Sequence, residues 1–134
     1  MKLLNIEVTS RGAVFDTRYD IFRQNGAEIY HLTMAHQASV YPHFLGVKHL
    51  PSQTLDAVVE VALQWHEEIV FDAVITTDEA SVLSAAAVAD TISLPGISLD
   101  AAAKSRNKFI QLATILTAGN ICQSPCDRSR DLWV

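Results

Sequence analysis

An α/β fold, with a parallel sheet covered by helices on both faces, is the class this sequence predicts. Three observations carry it. Short apolar and β-branched runs alternate along the chain with segments of helical period. The intervals between those runs are long enough to hold the crossover helix that consecutive parallel strands require. The 134 residues are 49% apolar, enough to fill one core without metal or disulfide staples.

Leu3 to Thr9 reads as the first strand, stopping at the turn signal Ser10-Arg11-Gly12. From Thr17, the residues Tyr19, Ile21 and Phe22 fit a short helix closed at Asn25-Gly26. Glu28 to Leu32 is the second strand. The stretch from Met34 to Gly46 has no clean period and contains Tyr41-Pro42, which disfavours helix, so a loop is expected there. Val47 to Leu50 is a short strand, after which Ser52 or Thr54 caps a helix with Leu55, Val58, Val59, Ala62, Leu63 and Ile69 on one face. Asp72 to Thr76 is the best strand in the chain, and Thr76 with Glu79 matches the Ser/Thr-x-x-Glu capping box. The helix it opens carries Val82, Leu83, Ala86 and Ala89 as its buried stripe. Leu94-Pro95-Gly96 breaks the pattern, Ser98 caps another helical turn, and Asn107 to Ala118 forms a last helix closed by Gly119.

Ten Lys and Arg against 15 Asp and Glu give a formal charge of −5, and the pI near 5.4 argues against nucleic acid as a partner. With 19% charged residues and a mean hydropathy of +0.18, the chain is more apolar than a small solvated domain needs. A partner domain, or a second copy in a homodimer, is the expected cover. No apolar run reaches bilayer length, and Asn5 and Glu7 interrupt the amino-terminal one, so no membrane span or signal peptide is read. Cys122 and Cys126 bracket only a short tail segment, and a reducing, cytoplasmic setting is expected.

The turn after the first strand has one glycine where a dinucleotide fingerprint needs three, and the chain holds no Gly-x-x-x-x-Gly-Lys-Ser/Thr phosphate loop. His31, His36, His43, His49 and His66 are spaced by five, seven, six and seventeen residues, which is no metal-ligand pattern. His66-Glu67-Glu68-Ile69-Val70 begins like a zinc-protease helix, but valine stands where the second histidine belongs. Trp65 and His66 are read as a helix-edge pair. Asp78 and Glu79 stand where a strong strand meets a helix, the edge at which parallel sheets bind ligands. The same two acids also suit a helix start for electrostatic reasons alone. Lys104, Arg106 and Lys108 are a basic cluster at a helix start in an acidic chain, suited either to phosphate oxygens or to a solvated face.

Phe71 to Glu79, the later Leu94-Pro95-Gly96, and Ser105-Arg106-Asn107-Lys108, taken in that order, resemble the amino-terminal, pre-ATP-grasp domain of ATP-grasp ligases. The resemblance is closest to the carboxylate–amine ligases that join amino acids, where an acidic residue follows the third-strand threonines and an Arg-Asp-Lys comes later. Glu79 and Lys108 stand 29 residues apart here. It covers residues 71–119 by motif and the first seventy by topology, Tyr41-Pro42 resembling a loop that some members carry. The resemblance implies a Rossmann-like sheet of pre-ATP-grasp type. It also implies a chemistry in which ATP activates a carboxylate to an acyl phosphate that an amine attacks, with Mg2+ neutralising the phosphates. By the same resemblance, Glu79 orients a small amino-acid-like substrate by accepting hydrogen bonds from its ammonium, and Lys108 approaches the ATP oxygens.

Two positions depart from the pattern: Asn107 stands where the family usually has aspartate, and Leu112 where many members have arginine. In the family, an ATP-grasp domain with a glycine-rich lid, a second lysine and acidic magnesium ligands follows the Gly119 position. None of these follows Pro125. The expected organisation is a pre-ATP-grasp-like domain over 1–119, and over 120–134 a tail or the start of a linker. Such a chain is expected to be inert by itself, with an ATP-grasp domain in cis or in trans as its partner. The alternative is a free-standing, non-enzymatic α/β module that binds a small ligand or a protein.

Overall fold

The structure, a computed structural model, describes residues 1–9, 17–35 and 43–118. The expected turn at Ser10-Arg11-Gly12, the Tyr41-Pro42 loop, the closure at Gly119 and the segment holding Cys122 and Cys126 lie outside the described residues. Two compact units divide the chain, Met1–Ala102 and Ala103–Val134.

The first unit is built on four parallel strands, β1 (Lys2–Glu7), β2 (Glu28–Thr33), β3 (Gly46–His49) and β4 (Ala73–Ile75), in the spatial order β3-β2-β1-β4. Helix α1 (Thr17–Gln24) links β1 to β2, and α2 (Leu55–Glu68) links β3 to β4. After β4 a 3-10 turn, Glu79–Ser81, runs into α3 (Val82–Thr91), followed by α4 (Leu99–Arg106). In the second unit α5 (Lys108–Thr117) begins at Asn107, whose side-chain oxygen accepts from the Phe109 and Ile110 amides. The architecture is the Rossmann-like α/β sheet expected.

β1 pairs with β2 from Lys2↔Glu28 to Glu7↔Thr33, and with β4 from Leu3↔Ala73 to Asn5↔Ile75. Side chains alternate across a strand, so this register sorts them into two layers. Leu4, Ile6, Leu32 and Val74 face one way and pack with Val58, Ala62 and Trp65 of α2 and Ala85, Val88 and Ala89 of α3. Tyr30, Trp65 and Phe71 close that layer with edge-on and tilted ring contacts at centroid distances of 5.5–5.9 Å. The opposite layer holds Leu3, Ile29, Asn5, His31, Glu7 and Thr33, all buried, and meets Tyr19 of α1 through the Asn5 amide.

Several local expectations change in tertiary context. Trp65, read as part of a helix-edge pair, is 3% exposed and central to the core, whereas Leu55 and Leu63 are 41% and 37% exposed. His66 accepts a hydrogen bond from the Phe71 amide and so closes the turn leading to β4. Thr54 is the N-cap residue of α2 without a side-chain cap; its hydroxyl instead accepts from Ser52. In α3, Leu83 is 37% exposed while Ala85 and Val88 are buried. Among the described residues no helix is long and apolar enough to cross a membrane.

Gly96 runs tightly under α3, since a Cβ there would lie 2.7 Å from the Ala89 methyl and 3.3 Å from the Val74 carbonyl oxygen. Neither neighbour is the flexible end of a long side chain, so Gly96→Ala is expected to cost about 1–3 kcal/mol. Urea unfolding should show a lower midpoint with an unchanged slope; an unchanged midpoint would mean that the α3 contact relaxes freely.

Candidate functional site

The carboxyl ends of parallel strands share one edge, and a crevice opens there where successive connections diverge to opposite sides. The chain passes from β1 to β2 and β3 on one side and returns with β4 on the other, so the divergence lies between β1 and β4. Glu7, Val8 and Thr9 leave β1 at this point, and Thr76 to Ser81 leave β4.

Hydroxyl groups sew the two strand ends together. Thr76 Oγ1 donates to the Ile6 carbonyl at 2.7 Å and accepts from the Asp78 amide at 3.1 Å. Ser81 Oγ accepts from the Val8 amide at 2.8 Å and donates to Asp78 Oδ2, also at 2.8 Å. Thr9 Oγ1 lies 3.2 Å from that oxygen and 3.5 Å from Glu7 Oε1. Asp78 Oδ1 accepts from the Ala80 amide and caps the 3-10 turn. Asp78 is thus a structural keystone of this edge.

These bonds correct the expected capping box. The Thr76 hydroxyl is taken by a carbonyl of β1, seventy residues away in sequence, so Asp78 supplies the cap instead. Glu79, the first residue of the 3-10 turn, is exposed. Lys108 is the first residue of α5 and exposed as well, but it belongs to the second unit while Glu79 belongs to the first. Lys104 and Arg106 lie on α4.

Sequence reading missed a buried polar chain behind this edge. Asn5 Nδ2 is 2.9 Å from Tyr19 Oη and 2.8 Å from His31 Nδ1, and Tyr19 Oη is 2.8 Å from Thr77 Oγ1. His31 Nε2 faces Glu7 Oε2 at 3.3 Å, and the ring stacks on Phe44 at 4.1 Å. The available signal was the pair Asn5 and Glu7 at alternate positions of an otherwise apolar strand, which marks one face of it as polar.

Of the three carboxylates at this edge, Glu7 is buried against His31, Asp78 is bonded into the turn, and Glu79 is exposed. An apolar cavity of about 270 Å3, lined by Val74, Ile75, Thr76, Val82, Ala85 and Ile97, adjoins β4. Among the described residues no three His, Cys, Asp or Glu side chains converge as ligands of a cation.

Asp78→Ala removes the cap and strands the hydroxyls that donate to it, at an expected cost of about 1–2 kcal/mol. Glu79→Ala should stay within about 0.5 kcal/mol, as for a surface substitution. Urea midpoints of the two variants check the order; the reverse order would restore Glu79 as the capping residue.

Scans against protein-family models and against curated protein sequences find no match. Among solved structures, an L-amino acid ligase from Bacillus licheniformis superposes with a TM-score of 0.75 at 20% identity, covering 88% of this chain and 30% of the ligase chain. A phosphoribosylglycinamide synthetase from Anaerococcus prevotii superposes with a TM-score of 0.64 at 19% identity, covering 87% of this chain and 28% of that one. The chain spans less than a third of the length of either structure. Its fold is that of a domain-sized part of this ligase and of this synthetase.

Proposed function

We propose that this chain is the substrate- and nucleotide-side domain of an ATP-dependent carboxylate–amine ligase, inert without an ATP-grasp domain in cis or in trans. The observation that carries this reading is the superposition on an L-amino acid ligase over 88% of the chain but only 30% of the ligase. The motif order from Phe71 to Lys108 points to the same enzymes independently. ATP supplies the activation that turns a carboxylate into an acyl phosphate, with Mg2+ held by residues beyond those described here.

The chain's own residues bind and orient. Glu79, exposed beside the carboxyl end of β4, accepts hydrogen bonds from the ammonium of an amino-acid-like substrate. Lys108 offers its ammonium to nucleotide oxygens as a point charge. The Asn107 side chain already takes the Phe109 and Ile110 amides, so those helix N–H groups are spent and Lys108 carries the contact. A non-enzymatic binding module is the second reading. The observation favouring it is Leu112, an exposed apolar side chain where many ligases have arginine.

Mixing the chain with a separately expressed ATP-grasp domain tests the first reading. The chain alone should bind Mg-ATP weakly and show no turnover, and the mixture should ligate amino acids. Turnover by the isolated chain, or none in the mixture, overturns it. In the active mixture Glu79→Ala should weaken amino-acid selection, and Lys108→Ala should raise the KM for ATP. Each loses a charge-assisted contact of about 1.5–3 kcal/mol, roughly a tenfold to hundredfold change. Unchanged kinetics would remove these residues from the site.

A further inference from the structure

Asn5 sits in the middle of β1 with no exposed surface. Its amide nitrogen contacts Tyr19 Oη at 2.9 Å and His31 Nδ1 at 2.8 Å, while its oxygen has no hydrogen-bond partner among the described residues. The two ends of a side-chain amide have almost the same shape and differ in hydrogen-bonding sense. Turning this amide over places the oxygen against the same two atoms and leaves the nitrogen without a partner. One polar group is stranded in either orientation, so shape and burial do not choose between them. The protons on the partners do.

With the nitrogen inward, Asn5 donates to both neighbours. His31 Nδ1 must then be bare, so the neutral ring carries its proton on Nε2, towards Glu7 Oε2 at 3.3 Å. Tyr19 accepts from Asn5, and its single proton goes to Thr77 Oγ1 at 2.8 Å. With the oxygen inward, His31 Nδ1 and Tyr19 both donate to Asn5, and Thr77 must donate to Tyr19. A bare Nε2 would then confront the Glu7 carboxylate, so this orientation belongs to the doubly protonated ring with Glu7 as its counter-ion.

We propose that His31, Asn5 and Tyr19 form a proton-controlled relay that sets the hydrogen-bonding sense of Thr77 at the carboxyl-end edge between β1 and β4. Neutral His31 leaves the Thr77 hydroxyl proton for a ligand acceptor, such as a carboxylate or phosphoryl oxygen. Protonated His31 turns that proton inward and leaves the Thr77 lone pairs for a ligand donor, such as an ammonium. The change takes up one proton from solvent, rotates one amide and reorients two hydroxyls, and no other bond breaks.

The groups facing His31 suit a single buried proton. β1 presents Glu7, which is 5% exposed, and α1 presents Tyr19 through Asn5. Phe44 stacks on the ring, and its neighbour His43 pairs with Asp20 of α1 at 3.2 Å. Beyond β4, Asp78 reaches Glu7 only through the Thr9 hydroxyl. Glu7 is thus the one charged group in contact with the imidazole among the described residues.

The ligand consequence rests on the binding site proposed above, but the relay itself is testable in the ligand-free chain. In the full-length 15N- and 13C-labelled protein, long-range ring spectra of His31 are followed from about pH 8 to about pH 5. The expected result is the Nε2-protonated tautomer at the alkaline end and a second proton on Nδ1 at the acid end. The Asn5 amide and Thr77 methyl resonances should move with the same midpoint. An Nδ1-protonated neutral ring, a ring that stays neutral until the protein unfolds, or Asn5 and Thr77 signals that do not follow His31 would each overturn the relay. In Tyr19→Phe, His31 and Asn5 should still titrate together while Thr77 no longer follows; a Thr77 that still follows would also overturn it. Thr77→Ser keeps the hydroxyl and should keep the coupled titration. Absence of ligation in the reconstituted mixture leaves all these spectra unaffected, so the two readings fail separately.

Discussion

β1 is hydrogen-bonded along both edges and buried on both faces, and most of the first unit follows from satisfying that one strand. Five of its six residues are buried, and two of them, Asn5 and Glu7, are polar. A buried apolar side chain needs only neighbours of the right volume, whereas a buried amide or carboxylate needs partners at fixed distances and angles. The layer holding Leu4 and Ile6 is therefore an ordinary packed core of α2 and α3 side chains. The layer holding Asn5 and Glu7 is a specified network, in which β2 must supply His31 and α1 must supply Tyr19. A slip of one residue between β1 and β2 would exchange the layers and strand every polar group, so the network also fixes the register.

The edge of the sheet inherits this order. Where β1 ends, its Ile6 carbonyl and Val8 amide still need partners, and the segment after β4 provides them through the hydroxyls of Thr76 and Ser81. Short hydroxyl side chains lose little rotational freedom and satisfy backbone groups without bringing a charge into the interior. Asp78, part-buried above them, gathers the remaining hydroxyl protons and caps the turn into α3. The edge between β1 and β4 is thus held by internal polar bonds. Glu79, one residue further on, is left exposed. Glu79 stands outside that scaffold, whereas Asp78 is consumed by it.

The described residues include carboxylates at a sheet edge and an apolar cavity beside it, but no assembled set of cation ligands. The chain covers 30% of the solved ligase and 28% of the solved synthetase that share this fold. Under the ligase reading, this domain contributes orientation and charge complementarity, and the activation of the carboxylate belongs to the residues that such enzymes carry elsewhere.

Much of this architecture was legible from local pattern, because strand and helix periods are properties of neighbouring residues. The runs at Leu3, Glu28, Val47 and Asp72 and the helix beginning at Leu55 stand where the alternation puts them, and Asn107 caps α5 as a helix-start asparagine should. The order of Phe71 to Glu79, Leu94 to Gly96 and Ser105 to Lys108 pointed to the enzymes whose fold the chain shares. Hydrogen bonds between distant residues have no local signature, and there the reading failed. Thr76 and Glu79 have the spacing of a capping box, yet the Thr76 hydroxyl goes to Ile6, and nothing within three residues announces it. Trp65 looked like a helix edge because the partners that bury it, Tyr30 and Phe71, come from a strand and a turn. The sequence by itself determined the elements, their alternation and the sheet edge at which function would be sought. Only the tertiary structure decided which acid caps and which stays exposed, and that Asn5, His31, Tyr19 and Thr77 form one chain of hydrogen bonds. The reason is physical: helical and strand periods are set by contiguous backbone geometry, whereas a buried polar group is satisfied by whichever segment the fold brings against it.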